Sequence, residues 1–64
     1  MAEWKKEARR LARDFYLSKL EIQRIFARVE SLYSRSEMPN FYNGNRNEFL
    51  YDKAQKEIMK KIYA

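Results

Sequence analysis

Apolar residues fall at Trp4, Ala8, Leu11 and Phe15, then at Ile22, Ile25, Val29 and Leu32, a spacing of threes and fours that skips only Ser18. That spacing lays one apolar stripe along a helix, and Ala12, Phe26 and Tyr33 widen it on one side. Ala, Leu, Arg, Lys, Glu and Gln fill most of the other positions, so propensity agrees with pattern. A second stripe, Tyr51, Ala54, Ile58 and Ile62 flanked by Leu50 and Met59, runs from Glu48 to about Tyr63. The pattern predicts an all-α fold.

The only proline and the only glycine, Pro39 and Gly44, lie together in the asparagine-rich stretch between the two stripes. Both break helices, so their confinement marks a connection over residues 36–46. Asn43 and Gly44 form a turn dipeptide because both tolerate left-handed backbone angles. Phe41 and Tyr42 sit at the centre of this loop. They are either an exposed surface for stacking or partner contact, or a plug over the open end of a bundle, and the cost of exposing them favours the plug. Asn45 or Asn47 would cap the last helix, with Glu48 set against its positive end. That helix should pack antiparallel on the one before it.

The first stripe keeps phase across Ser18, as one continuous rod would. Against a rod, Ser18-Lys19-Leu20-Glu21 reads as a capping box, with Leu17 and Ile22 in the positions of a hydrophobic staple around it. In a straight rod Leu17 and Leu20 would also point away from the stripe. Two architectures follow: a small three-helix bundle with helices at about 3–16, 18–35 and 47–63, or a long helical hairpin that self-associates. In either, residues 1–64 form a single helical domain whose expected core is Trp4, Leu11, Phe15, Ile22, Ile25, Val29, Leu32, Tyr51, Ile58 and Ile62.

At 64 residues the chain sits near the size where one core supplies only ~3–5 kcal/mol, and it has neither cysteine nor histidine to add a disulfide or a strong metal ligand. Idealised helix packing or association, such as a homodimer, must then support the fold. No apolar run approaches the ~20 residues of a membrane span, and the expected location is cytoplasmic.

Catalysis has little to work with. The serines lie near no candidate base, and the carboxylates Glu7, Asp14 and Glu21 repeat every seven residues along one helix edge, which suits surface ion pairs. There is no phosphate-cradling glycine loop and no calcium loop. The expectation is a non-enzyme with no catalytic residues, no cofactor, no metal and no small-molecule substrate.

Charge is more informative: 14 Lys/Arg against nine Asp/Glu give +5, and Lys5, Lys6, Arg9, Arg10 and Arg13 cluster near the start. Arg10, Arg13, Leu17, Leu20 and Arg24, with Arg28 less well aligned, run down the face opposite the apolar stripe. Arginine suits bidentate contact to phosphate or carboxylate. Residues 12–25, ARDFYLSKLEIQRI, resemble the helix-turn-helix pattern of DNA-binding repressors, with Ala12 in the first helix, Phe15 and Leu17 about the turn, and Ile22 and Ile25 in the second. That resemblance implies that Ser18, Lys19, Gln23 and Arg24 face a major groove, and it departs from the family at Tyr16, where glycine is usual.

Two functions follow. The first is binding of a nucleic-acid backbone through Arg9, Arg10, Arg13, Lys19, Gln23, Arg24 and Arg28. The second is a protein-binding inhibitor, adaptor or assembly subunit, of the kind compact viral or mobile-element genomes encode. It would dock an acidic protein surface through Leu17, Leu20, Phe41 and Tyr42, with arginines as the rim. Trp4 among basic residues lends a weaker third reading, a membrane surface.

Overall fold

The computed structural model describes residues 3–63 and contains three helices, α1 (Glu3–Asp14), α2 (Lys19–Tyr33) and α3 (Arg46–Tyr63), with a short 3₁₀ turn at Asn40–Tyr42. The chain is a small three-helix bundle of 33 × 23 × 18 Å, and the uninterrupted rod is not formed.

Two devices break the first stripe. The Leu17 amide donates to the Ala12 carbonyl at 3.1 Å and the Tyr16 amide to the Arg13 carbonyl at 3.0 Å, the paired bonds of a Schellman ending. That ending places Tyr16 in the left-handed region, φ 63°, where glycine is usual. Immediately afterwards Ser18 caps α2: its hydroxyl accepts from the Glu21 amide at 3.2 Å and the Glu21 carboxylate accepts from the Ser18 amide at 3.1 Å. The expected capping box is therefore formed. Hydrogen bonding from Ser18, its backbone amide foremost, holds the Glu21 carboxyl below its ordinary value of 4.5.

Contacts between the helices set the topology. Lys5 Nζ lies 2.7 Å from Glu30 Oε1, so α1 and α2 run in opposite directions. Arg28 Nε lies 3.0 Å from Glu57 Oε1 and the Tyr33 ring meets Phe49 edge-on, so α3 runs antiparallel to α2, as expected. Helix α1 thus runs alongside α3 in the same sense, and the Trp4 amide near its start donates to Asn47 Oδ1 at 2.6 Å. Ala8, Ala12 and Ala54 are fully buried where these helices pack, since small side chains allow close approach.

Trp4, Ile22, Ile25, Val29 and Ile58 form the expected centre, with Leu11, Tyr51 and Ile62 packed half-buried against it. Two expected core residues are exposed instead. Phe15 lies beyond the end of α1, and Leu32 stands in the last turn of α2, past the level at which Glu30 meets Lys5. Phe26, Tyr42 and Phe49 are buried in addition.

The connection folds back as a plug. Asn43 and Gly44 take left-handed angles, φ 53° and 76°, and Asn45 Oδ1 caps α3 by accepting from the Glu48 amide at 3.1 Å. Tyr42 packs edge-on against Phe49, and its hydroxyl donates to Asp52 Oδ2 at 2.8 Å, which raises the pKa of the phenol above the ordinary tyrosine value. Arg46 closes the other side. Its guanidinium donates to the carbonyls of Tyr33, Ser34 and Ser36, supplying partners for the end of α2.

Candidate functional site

The three helices bring two helix ends and one helix start together at a single end of the bundle: the close of α1, the opening of α2 and the close of α3. Phe15, Tyr16, Leu20 and Tyr63 belong to that end, and all four are exposed, Tyr16 at 94%, Tyr63 at 81% and Leu20 at 57%. Local structure explains why they cannot turn inward. Tyr16 occupies the left-handed position of the Schellman ending, whose geometry aims its side chain outward, while the hydrophobic contact of that motif falls to Leu17. Leu20 lies in the first turn of α2, on the far side from buried Ile22 and Ile25. Large apolar side chains are exposed at the opposite end too, Phe41 at 74% and, nearby in the last turn of α2, Leu32. The Phe41 ring lies over Tyr42, with centroids 4.3 Å apart.

Of the expected docking residues, Leu20 and Phe41 are free. Leu17 and Tyr42 are not: Leu17 packs half-buried against the core beside Ala12, and Tyr42 is 8% exposed beneath Phe41. Phe15, Tyr16 and Tyr63 were missed as surface residues. Phe15 shares the phase of the core stripe, so periodicity alone assigns it inward. The usable signal was the capping box, which requires α1 to have ended and its last residues to leave the stripe.

The arginine face expected to follow a nucleic-acid backbone is not formed. Arg28 is drawn away to Glu57, which also accepts from Lys60 at 3.3 Å, so one carboxylate serves two cations. Arg10 shares its surface with Glu3, Glu7 and Asp14, and Arg9 lies across the Phe26 ring, its guanidinium carbon 5.6 Å from the centroid. Carboxylates interrupt the cations over much of this surface, and the large apolar groups left exposed are tyrosine, phenylalanine and leucine. A phosphate backbone requires an unbroken basic track, which this surface lacks.

Four of the basic and polar candidates do meet. Arg9 and Arg13 from α1 face Lys19 and Gln23 from α2 across a shallow hollow between the helices, while Arg10, Arg24 and Arg28 lie outside it. Lys19 and Gln23, which the helix-turn-helix resemblance would aim at a major groove, here form one wall of that hollow. Among the described residues no three His, Cys, Asp or Glu side chains gather to hold a metal ion, and no helix is long and apolar enough to cross a membrane. Comparison with protein-family models, curated proteins and solved structures found no match to this chain.

Proposed function

We propose that this chain is a non-catalytic, cytoplasmic protein-binding module, an inhibitor, adaptor or assembly subunit, that docks its partner through the apolar end formed by Phe15, Tyr16, Leu20 and Tyr63. One observation carries the reading: four large apolar side chains are left in solvent at the end where three helix termini meet. Scattered single apolar residues are ordinary on a protein surface, whereas a group at one end of a small domain is typical of an interaction surface. Aromatic side chains are also the residues that anchor interfaces.

Tyr16 adds a second support. A non-glycine residue in the left-handed region costs roughly 1–2 kcal/mol, and here the cost supports a side chain with almost no intramolecular contact. Glycine would serve the fold better, and a tyrosine in that place serves contact with something else.

A photo-reactive phenylalanine analogue placed at Leu20 or Tyr63 tests this in the source cell, with Ser31 on the exposed face of α2 as the control. The expected result is one protein crosslinked from both end positions and not from Ser31. That protein, purified, should bind the chain directly and lose at least tenfold in affinity to Leu20→Asp. Crosslinks equal at all three positions would overturn the proposal. So would crosslinks solely between copies of the chain, which would make this end a self-association surface.

A further inference from the structure

The hollow between α1 and α2 combines a cationic rim with an apolar floor. Its volume is about 180 Å³, and below Arg9, Arg13 and Lys19 lie Leu17, Ile22 and Phe26. Ile22 and Phe26 are buried and Leu17 half-buried, so the floor is already set by the core. No carboxylate lines the hollow. Among the described residues none of the three rim cations forms an ion pair, in contrast to Lys5, Arg28 and Lys60, which do. Glu21 on α2 is committed to the Ser18 amide, and Asp14 lies on the adjoining surface together with Arg9, Arg10 and Arg13.

The volume is well below the ~300–1,000 Å³ of small-molecule sites and matches a single inserted side chain. The rim supplies three cations that form no ion pair among the described residues, and the arginine forks suit carboxylates. A phosphodiester backbone would leave the apolar floor unused. The ring that could stack a base, Phe26, is buried with Arg9 over it, so the apolar contact of the hollow falls chiefly to Leu17 and Ile22.

We propose that the hollow receives one bulky apolar side chain from an acidic peptide segment of the partner, with flanking carboxylates meeting Arg9, Arg13 and Lys19. Gln23, at the edge, offers both a donor and an acceptor to the peptide backbone. The inference rests on the protein-binding reading and adds to it the chemistry of the partner: an apolar anchor between acidic residues, held beside the apolar end of the bundle.

The test uses the full chain labelled with nitrogen-15 and short synthetic peptides that carry a central leucine or phenylalanine between aspartates and glutamates. At low salt, saturable amide shifts are expected at Arg9, Arg13, Leu17, Lys19 and Gln23. They should vanish when the central residue is serine, and affinity should fall about tenfold with Arg13→Glu combined with Lys19→Glu. Both side chains are exposed, so the double variant should keep its helical circular dichroism. Three results would overturn the proposal: no shifts at millimolar peptide, equal binding of the serine peptide, or displacement of the peptide by an oligonucleotide of equal affinity. If the hollow fails while crosslinking at Leu20 succeeds, docking through the apolar end stands without it. If the peptides bind and crosslinking fails, the hollow stands and the apolar end falls.

Discussion

Replacing Tyr16 with glycine should make the protein more stable and a poorer binder. Tyr16 sits at φ 63° in the Schellman ending of α1, and its side chain is 94% exposed. Glycine removes a left-handed penalty of roughly 1–2 kcal/mol, while its greater freedom in the unfolded chain returns about 0.5–1 kcal/mol. Burial hardly enters, because the ring contributes almost no area to the core. The net gain is about 0.5–1 kcal/mol, or about 3–6 °C in Tm for a domain of this size. Tyr16→Ala isolates the backbone effect: it deletes the same ring, keeps the strained φ, and should melt within a degree or two of the parent. The assay is thermal unfolding by circular dichroism at 222 nm, with urea titration at 25 °C as a second measure. A glycine variant that melts at or below the alanine variant would refute the reasoning, since it would mean the left-handed residue carries no strain. Both variants should bind the partner more weakly, which separates the stability of this position from its use.

Other changes probe the frame around it. Arg46→Ala removes the donors that serve the carbonyls of Tyr33, Ser34 and Ser36, and should cost about 2 kcal/mol by urea unfolding; Arg46→Lys should recover only part, because an ammonium lacks the fork. Phe49→Ala empties the space beneath Tyr33 and Tyr42, a loss of ~3–5 kcal/mol. That approaches the whole stability of a domain this small, so the variant should be largely unfolded by circular dichroism at 25 °C. Glu21 has a folded pKa below its unfolded value, so its contribution is complete above pH 4.5 and is lost as pH falls through the folded value. Glu21→Gln can still complete the capping box, and its Tm should fall less steeply than the parent's between pH 5 and pH 3.

Where the physics was local, the sequence carried it. The capping box at Ser18, the turn at Asn43-Gly44 and the cap at Asn45 are formed by residues within three positions of one another; the first two are legible in the sequence, and the third only as one of two candidates. The helix stripes were legible too, because Trp4, Ile25, Val29 and Ile58 keep helical phase. Phe49 was not. It stands nine residues before Ile58, half a turn around α3 from the stripe, and is buried because Tyr42 of the connection and Tyr33 at the end of α2 cover that opposite side. No periodicity within α3 reports a cover supplied by another segment. Phe15 and Leu32 failed in the converse way: each has core phase but lies where the neighbouring helix no longer covers it. The fate of the basic face is not legible in one helix, because Glu57 of α3 captures Arg28 and Glu30 of α2 captures Lys5 only once the helices assemble. Asn47, one of two candidates for capping α3, instead satisfies the Trp4 amide on α1, a contact across 43 positions.

If an apolar end, rather than a basic face, holds the partner, salt should matter little to binding. The measurement is affinity for the crosslinked partner, by calorimetry from low to high salt, for the parent chain and for Leu20→Asp. Docking through Phe15, Tyr16, Leu20 and Tyr63 predicts that the parent loses less than about tenfold across that range, while Leu20→Asp loses at least tenfold at every salt concentration. A loss of about a thousandfold with salt, together with an unchanged affinity for Leu20→Asp, would contradict it.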